Sequence, residues 1–237
     1  MRHERKFGLL LLVILATIAL PTIYFYLRNV SVLEGYSQAI NTHLVYQFAT
    51  LLLAIMMLLV LRLSRKEVFR IYFRRGNFKE KVIPEPYVGI KPKPQETWAK
   101  AGFQWAFMIS IVTATVMYFQ VYQGLKLHIG VFLKVLPFAL LFSMMNSFVE
   151  ESIIRLGVIV ALKGVFPDRA IAIISGLLFG SVHYFGNPGG VIGVLVAGFL
   201  GWFLAKSILE TKGMFWAWFI HFIQDVIILI ALFMLYP

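Results

Sequence analysis

The chain contains no cysteine, and that absence excludes disulfides, thiolate metal sites and a cysteine nucleophile together. Acidic residues are scarce too, with 11 Asp and Glu against 22 Lys and Arg. Charged residues make up 14% of the chain and hydrophobic ones 60%; an ordinary soluble domain carries roughly 25% charge, so an integral membrane protein is expected instead. Internal repeats, a GxxxxGK phosphate loop, a G-x-S-x-G turn and an HExxH pair are all missing, which removes several common chemistries.

What is present is a series of apolar runs. Helices satisfy their backbone hydrogen bonds internally in lipid, so the runs predict an all-α, polytopic helical bundle of about seven transmembrane helices in one domain, residues 1–237. The expected spans are 7–27, interrupted by Pro21, then 43–61, 103–122, 131–162, 170–185, 191–207 and 214–235. The first is longer than the ~7 to 15 residue core of a signal peptide and reads as a retained helix. The run 131–162 suits one tilted helix or two with a break. A turn, Gly186-Asn187-Pro188-Gly189-Gly190, separates the fifth and sixth spans.

The formal net charge of +11 would suggest nucleic acid in a soluble protein, but 11 of the 22 Lys and Arg fall in 62–100. Clustering beside two apolar spans instead follows the positive-inside rule, so nucleic acid is not an expected partner and the lipid bilayer is. The same rule predicts a cytoplasmic N-terminus, a cytoplasmic 62–100 loop and, after seven spans, Pro237 on the far side. The basic, aromatic start of this loop (Arg65, Lys66, Phe69, Arg70, Tyr72) suits an interfacial helix or a solvated loop. Its continuation through Pro84, Pro86, Pro92 and Pro94 reads as an extended linker. Gly176 and Gly180 form a GxxxG pair, and Gly193, Ala197 and Gly201 continue the small-residue pattern, which favours close helix approach.

Ionisable residues inside the apolar runs need a reason, because a charge at bilayer depth costs at least ~2.5 to 3.5 kcal/mol on insertion scales. Glu150, Glu151 and Arg155 lie in one run, His183 near the end of another, and His221 and Asp225 in the last. At 1.5 Å per residue, Glu150 lies ~20 Å from Lys163, His183 ~21 Å from Arg169 and His221 ~14 Å from Lys212, which puts three helices' ionisable groups near one depth. Glu151 and Arg155, four apart, share a helix face and can pair. Glu150 points about 100° away, toward a cavity. Two neighbouring carboxyls in a low dielectric disfavour double ionisation, so a carboxyl beside a histidine suits general base work. Asp225, four residues after His221, is placed to fix its tautomer. Two histidines and a carboxylate are also compatible with a zinc site, so a zinc-dependent membrane metalloprotease is an alternative, as is a non-catalytic transporter or scaffold.

Three short motifs, EExxxR at Glu150, Glu151 and Arg155, FxxxH at Phe179 and His183, and HxxxD at His221 and Asp225, occur in that order on apolar helices. Together they resemble the CAAX protease and bacteriocin-processing family of intramembrane glutamic endopeptidases, over roughly residues 131–237. The resemblance implies a hydrolase that cuts a membrane-anchored protein or peptide, needs no cofactor and resides in a membrane, with the cell membrane the expected one. It further implies that Glu150 and His183 activate water, that His221 and Asp225 stabilise the oxyanion, that Glu151 and Arg155 hold the site in shape, and that Phe179 contacts substrate. Asp225 is the departure, since asparagine is the easier oxyanion donor.

Overall fold

The computed structural model describes residues 3–122, 128–186 and 189–235. Asn187 and Pro188 of the expected turn lie outside them, as does Pro237. The described residues form helices α1 (His3–Leu27), α2 (Gln38–Ser64), α3 (Lys66–Tyr72), α4 (Trp98–Met117), α5 (Ile129–Glu150), α6 (Gly157–Leu162), α7 (Asp168–Val182), α8 (Gly190–Thr211) and α9 (Phe215–Leu235), and no strand. Among them, 6 helices are long and apolar enough to cross a membrane, close to the expected count. The stretch expected as a fifth span is α7, 15 residues long, followed by a 3-10 turn at His183–Phe185. At 1.5 Å per residue α7 alone covers only ~22 Å of a ~30 Å hydrocarbon core.

The first long helix buries one stripe and leaves the rest to face outward, whereas the second half of α8, from Phe203 to Leu209, is buried all round. In α1, Leu9, Val13, Ala16, Thr17 and Leu20 are buried, while Leu11 and Leu15 are exposed. That spacing is the 3.6-residue repeat of a helix packed on one side. Asn41 at the start of α2 organises the preceding loop: its Oδ1 accepts from the Val32 and Leu33 amides, and its Nδ2 donates to the carbonyls of Leu33, Tyr36 and Ser37.

The run expected as one tilted helix or a broken pair is one continuous helical path of 34 residues. Alpha-helical α5 passes through a π-turn at Glu151–Leu156 directly into α6. From Glu151 to Leu162 the side chains are buried, so this half of the path is the centre of the bundle. Near it, α1 comes so close that a Cβ on Gly157 would stand 2.8 Å from Val13 Cγ2.

α7 and α8 meet through glycines. A Cβ on Gly176 would lie 2.7 Å from the Gly198 carbonyl oxygen, and one on Gly180 2.7 Å from that of Val194. The GxxxG pair on α7 therefore meets the backbone of Val194 and Gly198. Gly201 does take part, against Phe179.

The proline-rich segment differs from the extended linker that its composition suggests. Val82 and Ile90 are buried, and isolated antiparallel bridges join Lys81 to Thr97 and Glu85 to Ile90. The segment is a strap across the ends of α8 and α9. Lys206 donates to the Ile83 carbonyl at 2.8 Å and pairs with Glu210, whose Oε2 accepts from the Ile83 amide and from Trp98 Nε1. The Met214 amide donates to the Arg74 carbonyl and the Asn77 amide to that of Thr211. Gly76, at φ +95, packs so tightly on Gly213 that neither tolerates a side chain.

Candidate active site

The site is built where the path from α5 to α6 changes pitch. A π-turn shifts the backbone ladder by one residue and occurs disproportionately at functional sites. Glu150 precedes it and lines a cavity of about 750 Å³. Glu151 opens it and is fully buried, with Arg155 Nε 3.4 Å from Glu151 Oε1 and neither side chain exposed. The four-residue pairing read from the sequence thus forms across the π-turn.

The last helix supplies His221 between the carboxyls. Its Nδ1 lies 2.7 Å from Glu151 Oε1; a carboxylate only accepts, so Nδ1 carries hydrogen and donates. Its Nε2 lies 3.4 Å from Asp225 Oδ1 and 3.6 Å from Glu150 Oε2. Lone pairs that close would repel, so a proton resides among these three groups.

The third element of the site is the 3-10 turn that follows α7. His183 Nδ1 lies 2.8 Å from the Phe179 carbonyl oxygen, which only accepts, so the neutral ring carries hydrogen on Nδ1 and keeps the Nε2 lone pair for another donor. Phe179 is a platform between these groups: the Arg155 guanidinium carbon stands 3.5 Å from its ring centroid, the His183 ring centroid 4.0 Å and the His221 ring 5.6 Å in an edge-on arrangement. The aromatic face thereby shares the buried cation with Glu151.

All the residues singled out in the sequence come together. Glu150, Phe179, His183, His221 and Asp225 line the one cavity, while Glu151 and Arg155 stand behind it. Asn146 was missed. Its Nδ2 donates to Asp225 Oδ2 at 3.0 Å and to Glu150 Oε1 at 3.3 Å, and its Oδ1 accepts from Gln47 Nε2 at 3.4 Å. The signal was available: an amide four residues before Glu150 shares its helix face. Gln47, on α2, had no such local signal. Among the described residues, no three His, Asp or Glu side chains are arranged to hold a metal ion.

Apolar helices around a buried set of carboxyls, imidazoles and a guanidinium make this an integral membrane protein with a polar site at its centre. Residues 132–227 match the family model described as Rce1-like, Type II CAAX prenyl endopeptidase Rce1-like, and no curated protein and no solved structure matches the chain. The matched segment holds every one of the three motifs, and the description of that model agrees with the CAAX protease family that they resemble.

Proposed function

We propose that the protein is an intramembrane glutamic endopeptidase that hydrolyses a peptide bond of a membrane-anchored protein or peptide. The observation that carries this reading is the convergence of Glu150, His183, His221 and Asp225 on one cavity. A water held by Glu150 and His183 Nε2 gives its proton to the Glu150 carboxylate as its oxygen attacks the scissile carbonyl carbon. The carbonyl oxygen becomes an oxyanion, which the proton shared by His221 Nε2 and Asp225 stabilises. Glu150 then returns its proton to the departing amine nitrogen, the C–N bond breaks, and a carboxyl and an amine leave. Glu151 and Arg155 touch no substrate in this scheme; they hold His221 and His183 in place together with Phe179, whose ring also lines the cavity and contacts the substrate there.

A water activated without metal is supported by the placement of the carboxyls and imidazoles, since among the described residues no three of them are arranged to hold a metal ion. Glu150→Gln and His183→Ala should each abolish cleavage while size-exclusion profile and melting temperature stay near wild type. Activity should survive EDTA and phenanthroline. Finding about one zinc per chain, lost together with activity in His183→Ala, would replace this mechanism by that of a metalloprotease.

A further inference from the structure

The cavity beside Glu150 reaches one end of the bundle. From Glu150 and His221 at mid-depth its lining runs to Tyr26 and Arg28 at the end of α1, Phe185 after α7 and Leu232 near the end of α9. Tyr26 and Phe185 are 76% and 83% exposed, so this end is its mouth. Toward the other end, Val160, Leu162, Phe203, Ile208, Trp216 and Ile220 are buried and close the path, and the strap held by Lys206 and Glu210 lies beyond them. Among the described residues, none of the strap lines the cavity.

Charge divides the same two ends. Among the described residues, the closed end carries the 11 basic residues of 62–100 with Arg5, Lys6, Lys163, Arg169, Lys206 and Lys212, whereas the helix ends and connections on the mouth side carry Arg28 and Lys134. Such an imbalance in short connections sets orientation, with the basic end in the cytoplasm. We propose that the active-site cavity opens to the extracytoplasmic side and takes an extended, largely apolar segment of an exported, membrane-anchored protein or peptide, cut where it emerges from the outer leaflet. The cavity has the size of a ligand site, apolar walls and a polar floor, which suits a peptide that inserts side chains and offers one carbonyl to Glu150. The direction of entry stands on cavity and charge alone; the substrate rests on the peptidase reading.

The natural chain has no cysteine, so single cysteines report without background. Tyr26→Cys at the mouth, Ile228→Cys on the cavity wall and Asn77→Cys on the strap side are treated with a membrane-impermeant thiol reagent in intact cells and in inverted vesicles. Tyr26→Cys and Ile228→Cys should react in intact cells and Asn77→Cys only in inverted vesicles; the reverse pattern, or reaction of Ile228→Cys from the Asn77 side, overturns the proposal. In the second arm, proteoliposomes sorted by orientation receive a fluorogenic peptide with an apolar centre and a charged tail that keeps it from crossing the bilayer. Cleavage should occur only where the Tyr26 side faces the peptide and vanish in Glu150→Gln. Cleavage only from the Asn77 side overturns the proposal. Cleavage from neither side, with the labelling as expected, overturns the peptidase reading and the substrate with it but leaves the direction of entry decided by the labels.

Discussion

Two buried ion pairs in this protein share one sequence pattern and differ in everything their remaining polar atoms touch. Lys206 and Glu210, like Glu151 and Arg155, stand four apart on a helix and are nearly or wholly excluded from the surface. At the strap, every valence is used: Lys206 also meets the Ile83 carbonyl and Glu85, and Glu210 takes donors from Ile83 and Trp98. In the centre, Arg155 Nη1 and Nη2 and one oxygen each of Glu150 and Glu151 make no hydrogen bond among the described residues. A saturated buried pair fastens two elements, whereas uncommitted polar atoms beside a cavity cost stability and are kept where chemistry needs them.

The sharpest test of that difference is chemical. Glu150→Gln should lower the cleavage rate by ~10²- to 10⁴-fold, the usual worth of a general base, with an unchanged melting temperature; a rate within threefold of wild type would remove Glu150 from the mechanism. Arg155→Ala leaves Glu151 buried without its cation, a change costing about 3 to 5 kcal/mol, so both thermal stability and activity should fall. Lys206→Met strips the other pair of its cation and should lower stability by a comparable amount, yet the protein that remains folded should cleave at the wild-type rate per molecule. Equal loss of specific activity in Arg155→Ala and Lys206→Met would erase the distinction between the two pairs.

Smaller effects probe the surroundings. Gly180→Val puts a side chain into the Val194 carbonyl, which is backbone and cannot move aside. A loss of about 1 to 3 kcal/mol follows, as for other overpacked contacts, measured by thermal melting in detergent. Asn146→Leu removes the donor shared by Glu150 and Asp225; hydrogen bonds of this kind contribute ~1 kcal/mol each, so stability should hardly change while kcat/KM falls and its pH profile shifts. An unaltered profile would mean that the amide only packs.

The central pair was legible because residues four apart on any helix face each other, and a π-turn between Glu151 and Arg155 did not undo that contact. That Glu150, His183 and His221 could meet at one level of the bundle was legible for a similar reason, since helix rise converts residue count into length. The strap was not legible. Four prolines exclude regular helix but say nothing of what the intervening residues touch, and Ile83 finds its hydrogen-bond partners, Lys206 and Glu210, on a helix more than a hundred residues away in sequence. Small-residue spacing marked α7 and α8 as helices able to approach closely, but which backbone atoms meet, Gly176 on Gly198 and Gly180 on Val194, was not legible, because rotation about the helix axis is set by packing and not by composition.

The sequence by itself therefore determined the membrane class, the helical architecture and the identity of the polar residues, since hydropathy, charge and the 3.6-residue repeat are local properties of the chain. Only the tertiary structure decided that Asn146 and Gln47 join the site, that Phe179 lies beneath Arg155, and that the cavity opens away from the basic end. Those are facts about which helix faces meet, and they follow from the packing of all the helices together rather than from any one of them.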